Sequence, residues 1–309
     1  MRLSIATSSR LAAPIAEATI GSFGHYRGLV AGSSEVGDGD LLLALEGTHS
    51  NGPWQLDENL RKLNGFAKLS GANWSIGLTG YHARWSATDQ VPQRAIDAGL
   101  IDRFGNVDPD LGGRTTRFGL TGQAKIGGTE LRLFAVRYLF RLTSNFTYFL
   151  GDPANGDQFQ PRDRRTVFGG SLRHTVPVAV ADRPISLSFG ADARWDHIDT
   201  IGLYPSVAGR RTGVVREDGV DEYSGALLLE GSAALTDRLR LTLGARGDLY
   251  GYTVDAAAIP STPAGALTRS SVRKRRWPGE PATASSCTQI LGKASIRTTY
   301  AVRRFALTL

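Results

Sequence analysis

The stretch Leu239–Tyr250 reads LRLTLGARGDLY, and its side chains alternate between two kinds. Odd-numbered positions are apolar or small, whereas most even-numbered positions carry arginine, threonine or aspartate. Successive side chains of a β-strand point to opposite faces, so this period of two predicts a strand with one apolar and one polar face. The run is about twice as long as an ordinary globular strand, and it matches the length of about 9–11 residues that crosses a bilayer at a tilt.

The same alternation recurs through most of the chain. Pro184–His197, PISLSFGADARWDH, places Ile185, Leu187 and Phe189 on one face, and shorter copies lie at 74–79 and 133–141. In lipid every backbone polar group must be paired within the protein, so strands cross a membrane only in a closed barrel. We therefore predict an all-β fold, an antiparallel transmembrane β-barrel that is partial, with about ten strands of a larger barrel. The charged side chains of the two long runs are then expected to face the lumen: Asp192, Arg194, Arg240, Arg246 and Asp248.

The connections between these runs alternate between long and short. Tight turns are predicted at Gly127-Gly128 and Thr236-Asp237. Bacterial outer-membrane barrels have short periplasmic turns and longer extracellular loops. The phasing therefore predicts that four long connections are extracellular: 48–61, 86–114, 143–165 and 199–221.

Composition excludes several other classes of protein. The 309 residues include one cysteine, Cys287, which rules out a disulfide framework or a cysteine-based zinc site. No uninterrupted apolar run approaches the roughly 18 residues of a transmembrane helix. The net charge of +7 comes from the last 49 residues, where nine basic residues accompany one acid. An electrostatic partner such as nucleic acid would therefore concern that tail alone. Because we interpret the tail below as the product of a frameshift, we predict no nucleic-acid partner.

Three stretches resemble the β-barrel of TonB-dependent outer-membrane receptors. They are Glu46–Gly71, EGTHSNGPWQLDENLRKLNGFAKLSG; Ser86–Gly113, SATDQVPQRAIDAGLIDRFGNVDPDLGG; and Ser144–Phe159, SNFTYFLGDPANGDQF. The third is the most specific, because it is a long match within a loop. The resemblance covers roughly residues 20–255.

The resemblance implies a receptor in the cell outer membrane that imports a scarce nutrient, such as a siderophore, another iron chelate or a cobalamin-like ligand. It implies outer-membrane lipid, a plug domain, the TonB energy-coupling complex and a small nutrient ligand as partners, and no cofactor. A barrel of about 22 strands is typical of the family, and this chain has room for about half of one. We therefore expect a fragment that does not transport on its own.

The ligand surface is expected on the extracellular loops. The candidate residues are Asp89, Gln90, Arg103, Asp108, Asn145, Tyr148, Asp152 and Asp157. We predict no enzymatic activity and no catalytic, cofactor-binding or metal-binding residue, since none of the five histidines stands at a metal-ligand spacing. Two alternatives remain at this point, a passive outer-membrane porin and a soluble β-sandwich binding protein.

The two ends of the chain differ from the barrel part. Residues 1–20 form an N-terminal segment in which Arg10 interrupts an apolar run too short for a convincing signal peptide. The barrel part is expected at 21–255, and the basic tail at 256–309 is expected to be unstructured. Codons that can encode Ser285–Val302, when read one base out of frame, can also encode ELYANFGQSFHSNDVRGA. That sequence resembles the barrel that follows in this family. We therefore predict a frameshift between about Asp255 and Ser261, with the basic tail as its product.

Overall fold

The computed structural model describes residues 10–180, 183–236 and 239–257. Within these residues the chain forms twelve strands and one short helix, α1 (Gln93–Asp97). The strands are β1 (Ile15–Gly21), β2 (His25–Val36), β3 (Gly39–Ser50), β4 (Leu60–Ser70), β5 (Trp74–Ser86), β6 (Gly112–Ile126), β7 (Thr129–Thr143), β8 (Phe159–Val180), β9 (Arg183–Val207), β10 (Arg210–Arg211), β11 (Arg216–Thr236) and β12 (Leu239–Ala257).

All twelve strands belong to one antiparallel meander. Each long strand pairs with its sequence neighbours, from β1 through β9 to β11 and β12, and β10 pairs only with β9. In the part of the chain that is described, β1 and β12 pair with one neighbour each and not with each other. The sheet is therefore an open wall with two free edges, as expected for part of a barrel.

Two sheet faces follow from the register of the strands. One face, which we call the apolar face, carries Leu43, Leu133 and Leu229. The exposed fractions of these three side chains lie between 51% and 58%. The opposite face, called the polar face, carries ion pairs such as Glu46 with Arg27 and Lys62. Large apolar side chains that point outward over many neighbouring strands suit contact with lipid tails. Among the described residues no helix has the length and apolarity to cross a membrane.

The predicted all-β, partial transmembrane barrel is confirmed as a fold class, and the structure shows no sandwich of two sheets in the described residues. The sheet has twelve strands where about ten were expected, and its first strand begins at Ile15 rather than near residue 21. The prediction for the basic tail falls on residues outside the described ranges, apart from the last two residues of β12.

All four expected loops are shorter than predicted, and the last two differ most. These two connections run over 144–158 and 208–215, because β8, β9 and β11 extend beyond the expected limits. Near the loops both sheet faces become polar, as in Arg162–Arg165, so the hydrophobic alternation disappears while the backbone pairing continues. The apolar pattern therefore marks only the middle of each strand.

Candidate ligand-binding surface

Four long connections lie together at one end of the sheet, which we call the loop end. They are the segments 51–59, 87–111, 144–158 and 208–215. The turns at the other end are short, and those described there are 37–38, 71–73 and 127–128. Hydrogen bonds join the long connections to one another, beginning with the bond from the Gln55 amide to the Phe104 carbonyl, 2.9 Å.

The buried carboxylate of Asp108 holds two of these loops together. Asn145 donates its side-chain amide to Asp108 Oδ2 at 2.8 Å. Gln158 donates its amide to both carboxylate oxygens, at 2.7 and 2.8 Å. Asp108 is 6% exposed and Asn145 is fully buried, so water cannot replace these bonds. Bonds to a charged acceptor are among the stronger hydrogen bonds in proteins, and this group fixes the segment 144–158 against 87–111.

Gln158 extends the connection to the third loop. Its side-chain oxygen accepts a bond from the Gly209 amide at 2.9 Å, and its backbone oxygen accepts one from the Ser206 amide at 2.9 Å. The neighbouring Gln160 donates its side-chain amide to the Gly209 carbonyl at 2.7 Å. One asparagine and two glutamines therefore bind three loops that are distant in sequence into one assembly.

A second junction lies beside the first. The Asp89 carboxylate accepts bonds from the Ser144 hydroxyl at 2.6 Å and from the Asn145 amide at 3.0 Å. The Tyr148 hydroxyl donates to the Gln90 carbonyl. Burial raises the pKa of the Tyr148 phenol, and the nearby Asp89 and Asp108 carboxylates add to the increase. Tyr148 therefore remains a neutral hydrogen-bond donor at physiological pH.

The segment 144–158 is also organised from within. Asp157 accepts bonds from the Gly151 amide at 2.8 Å, the Asp152 amide at 2.7 Å and the Thr147 hydroxyl at 2.7 Å. These donors lower the pKa of Asp157, with the Gly151 amide contributing most. Asp152 in turn accepts bonds from the side chain and amide of Asn155, which lower its pKa. Each carboxylate therefore favours one closed loop conformation.

This rigid loop presents apolar side chains to solvent. Phe146 is 62% exposed and Leu150 is 80% exposed, and Phe149 lies between them with about half its surface exposed. The adjacent loop adds Leu100 and Phe104, which are also exposed. Exposed apolar groups held on a well-ordered polar base are typical of a binding surface. Sequence reasoning did not select these residues, because a single apolar residue in a loop has no periodic signal.

The structure brings most of the predicted loop residues together. Their polar groups, however, form hydrogen bonds with other loop residues and do not point freely toward a ligand. Asp89, Asp108, Asn145 and Tyr148 bond between loops, and Asp152 and Asp157 bond within one loop, as described above. Gln90 contributes its carbonyl to Tyr148 and has an exposed side chain. Arg103 is exposed beside Asp102. The polar residues thus shape the loop end, and the outward-facing groups there include Arg103 and the apolar side chains.

The five residues predicted to face the lumen all lie on the polar face. Asp192 joins Arg173 at 2.8 Å on one side and Arg246 at 2.6 Å on the other. Arg246 also pairs with Asp248 at 2.7 Å, so this network crosses four strands from β8 to β12. Arg194 pairs separately with Asp196. Arg240 lies further along β12 and is exposed.

No group of three or more histidine, cysteine, aspartate or glutamate side chains within the described ranges is arranged to hold a metal ion. The loop carboxylates instead accept hydrogen bonds from amides and hydroxyls. The chemistry that the loop end offers is recognition by shape, apolar contact and hydrogen bonding.

Comparison with solved structures relates this fold to TonB-dependent receptors. The chain is similar to the ferric citrate transporter FecA in its unliganded form, with a TM-score of 0.59 and 13% identity over 78% of this chain and 37% of that chain. It is similar to the closed form of the ferric-catecholate import receptor Fiu from E. coli K12, with a TM-score of 0.61 and 14% identity over 85% of this chain and 45% of that chain. It is also similar to P. aeruginosa FpvA bound to heterologous pyoverdines, with a TM-score of 0.52 and 13% identity over 78% of this chain and 37% of that chain.

No protein-family model matches the sequence, and no curated protein matches it either. The similarity to the solved structures confirms the resemblance to the receptor barrels at the level of the fold. The chain spans less than half the length of the solved receptors that it resembles. These neighbours are a transporter and an import receptor.

Proposed function

We propose that this chain forms part of the wall of an outer-membrane receptor that imports an iron chelate, with its loop end at the cell surface. The main support is the architecture: a single antiparallel meander with one outward apolar face and long connections at one end only. This meander has the fold of the ferric citrate and ferric-catecholate receptors. In this arrangement the apolar face meets lipid tails and the polar face meets the barrel lumen, where a plug domain would contact Asp192 and Arg246.

The ligand contact is assigned to the loop end. The network around Asp108 and Asp89 keeps three loops in one arrangement before any ligand arrives, and preorganised surfaces lose less entropy on binding. Phe146, Phe149 and Leu150 then supply apolar contact for a ring-bearing or aliphatic chelate. The lumen and the remaining part of a complete barrel would supply further contacts, together with energy coupling for release inward.

Binding of radioactive iron chelates to the full chain in phosphatidylcholine vesicles tests this proposal. The probes are ferric citrate, a ferric catecholate and a ferric pyoverdine. We expect saturable retention of one of them. Combining Phe149→Ser with Leu150→Ser should reduce it about a hundredfold, because two apolar side chains that become buried contribute about 1.5 kcal/mol each. The control is Ile126→Ser, an equally exposed apolar residue at the opposite end of the sheet.

Binding rather than transport is measured, since a partial barrel is not expected to transport. Retention that is lost equally in Ile126→Ser and in the loop variant would contradict the assignment of the ligand to the loop end. Absence of saturable retention, together with free leakage of sucrose through the vesicles, would instead support a passive porin.

A further inference from the structure

Five arginines stand in one row across five neighbouring strands near the loop end. Arg61 of β4 is directly opposite Arg84 of β5, which is opposite Arg114 of β6. Arg114 is opposite Arg141 of β7, and Arg141 is opposite Arg162 of β8. Directly opposed residues have Cβ atoms about 4.5–5.5 Å apart. We call this set the arginine row.

The arginine row has no neutralising partner in the described part of the chain. Arginines elsewhere in the sheet, such as Arg27, Arg137 and Arg246, pair with carboxylates. Among the described residues, the hydrogen bond and the ring contact that the row makes are with neutral groups: Arg61 donates to the Asn59 side chain at 3.3 Å, and Arg162 lies 5.3 Å from the centre of the Tyr204 ring. The Nε of Arg162 is buried and has no hydrogen-bond partner. Like charges directly opposite one another destabilise a sheet, so this row calls for an external anion.

Three acidic residues lie near the row. Asp110 lines the smaller cavity and forms no ion pair with an arginine within the described ranges, and the other two are already engaged. Asp163 pairs with Arg165 on the other face of β8. Glu217 accepts a bond from the Tyr204 hydroxyl and lies 3.5 Å from Arg211. Neither carboxylate is bonded to a member of the arginine row. Arg211 adds a further cation beside the row, 3.7 Å from the centre of the Tyr204 ring.

The row faces two adjoining cavities, of about 510 and 400 Å³, that share Arg114 and Arg141. The larger is also lined by Thr116, Thr200 and Tyr204, which offer hydroxyl groups. The smaller is lined by Asp110 and Gly209 from the loops, so the loop end partly covers the row. The volumes and donors suit one or two phosphate groups, and the planar guanidinium group binds phosphate oxygens in pairs.

The row lies on the apolar face of the sheet. Along β6, Arg114 and Thr116 occupy the same face as Phe118 and Leu120. Along β7, Arg141 shares that face with Leu139, Leu133 and Arg137, and Arg137 is neutralised there by Asp199. Phe118 lies four positions after Arg114, which is about 13 Å along the strand and about 9 Å along the membrane normal at the usual tilt. An anion bound here therefore lies just beyond the lipid-facing apolar band, at the depth of lipid headgroups.

We propose that the arginine row binds the phosphate groups of anionic membrane lipids. This inference rests on the proposed function, because it requires the apolar face to meet lipid. A lipid satisfies both parts of the surface at once: its phosphate neutralises the row, and its acyl chains cover the leucines and phenylalanines below. A soluble phosphate or chelate would use the arginines alone.

The test uses the full chain in uncharged detergent micelles, titrated with short-chain phosphatidate, phosphatidylcholine and inorganic phosphate. The test variant combines Arg114→Gln with Arg141→Gln. The matched control combines Arg117→Gln with Arg132→Gln, which removes one arginine from each of the same two strands on the polar face. A basic residue near an anionic lipid contributes a several-fold gain in affinity. We therefore expect phosphatidate affinity to fall about thirtyfold in the test variant and less than about threefold in the control.

Binding of inorganic phosphate as tight as that of phosphatidate would overturn the lipid assignment, as would equal losses in both double variants. Competition by an iron chelate for the same arginines would overturn it in favour of the nutrient. If a labelled apolar face inserts into phosphatidylcholine but shows no preference for phosphatidate, this inference fails and the proposed function stands. If the apolar face does not meet lipid, both fail together.

Discussion

Replacing Asp108 by alanine tests whether the loop end is held together by one carboxylate. The substitution removes the acceptor for the side-chain amides of Asn145 and Gln158, both of which are almost completely buried. A hydrogen bond to a charged group contributes about 1.5–3 kcal/mol, and an amide left buried without a partner loses at least that much. Two amides therefore give a loss of about 3 kcal/mol or more in the stability of the closed loop assembly.

The assay is hydrogen exchange, followed by mass spectrometry, on peptides that cover 144–158 and 208–215. A loss of about 3 kcal/mol raises the opening equilibrium constant roughly a hundredfold, so amides in both segments are expected to exchange about a hundred times faster. Asp110→Ala is the matched control, because its exposed side chain lies two residues away in the same loop. Equal protection in the two variants, or loss confined to 87–111, would refute the role assigned to Asp108.

Three further predictions concern the turn, the loop and the binding surface. Gly128→Ala is expected to lower the free energy of unfolding by about 1–3 kcal/mol, because the added Cβ would lie 2.3 Å from the Thr175 carbonyl oxygen. Gly122→Ala is the control, since its Cβ would meet nothing within 4 Å, and denaturant titration compares the two variants. Because hydrogen bonds lower the pKa of Asp157, its ionised form stabilises the loop fully above about pH 4 and loses that effect as the pH falls through the lowered pKa. The difference in hydrogen exchange between the parent and Asp157→Asn should therefore be present at neutral pH and vanish in strong acid, and a pH-independent difference would contradict this. Leu150→Ser should weaken chelate retention without changing the exchange of 144–158, because Leu150 is 80% exposed; faster exchange would show a structural role.

The sequence predicts the architecture well where one physical constraint acts on every second residue. Contact with lipid on one side and water on the other imposes the period of two in Leu239–Tyr250, and that period alone identifies the strand and both of its faces. The constraint ends where the strands leave the membrane. The predicted ends of β8 and β9 were therefore wrong by several residues, although the pairing continues through Arg162 and Leu203.

The candidate site is less predictable, because its contacts join residues that are far apart in the chain. Asp108 and Gln158 are separated by 50 positions, and no local pattern indicates that they meet. The predicted loop residues include Asp108 and Asn145, but their assignment as ligand groups did not anticipate that they bond to each other. The arginine row is equally hard to predict: successive members are 20 to 30 positions apart in the sequence, and only the strand register aligns them.

The central claim is that this sheet is the wall of a membrane barrel with one face in lipid. The most direct test places single cysteines at Leu241, Thr242, Leu243 and Gly244 of β12, with Cys287 replaced by serine, and labels each with a fluorophore in bilayers that contain brominated lipid. We predict that lipid quenches the labels at 241 and 243 strongly and those at 242 and 244 weakly, with the reverse order for a water-soluble quencher. Equal quenching at all four positions, or stronger lipid quenching at 242 and 244, would contradict the account.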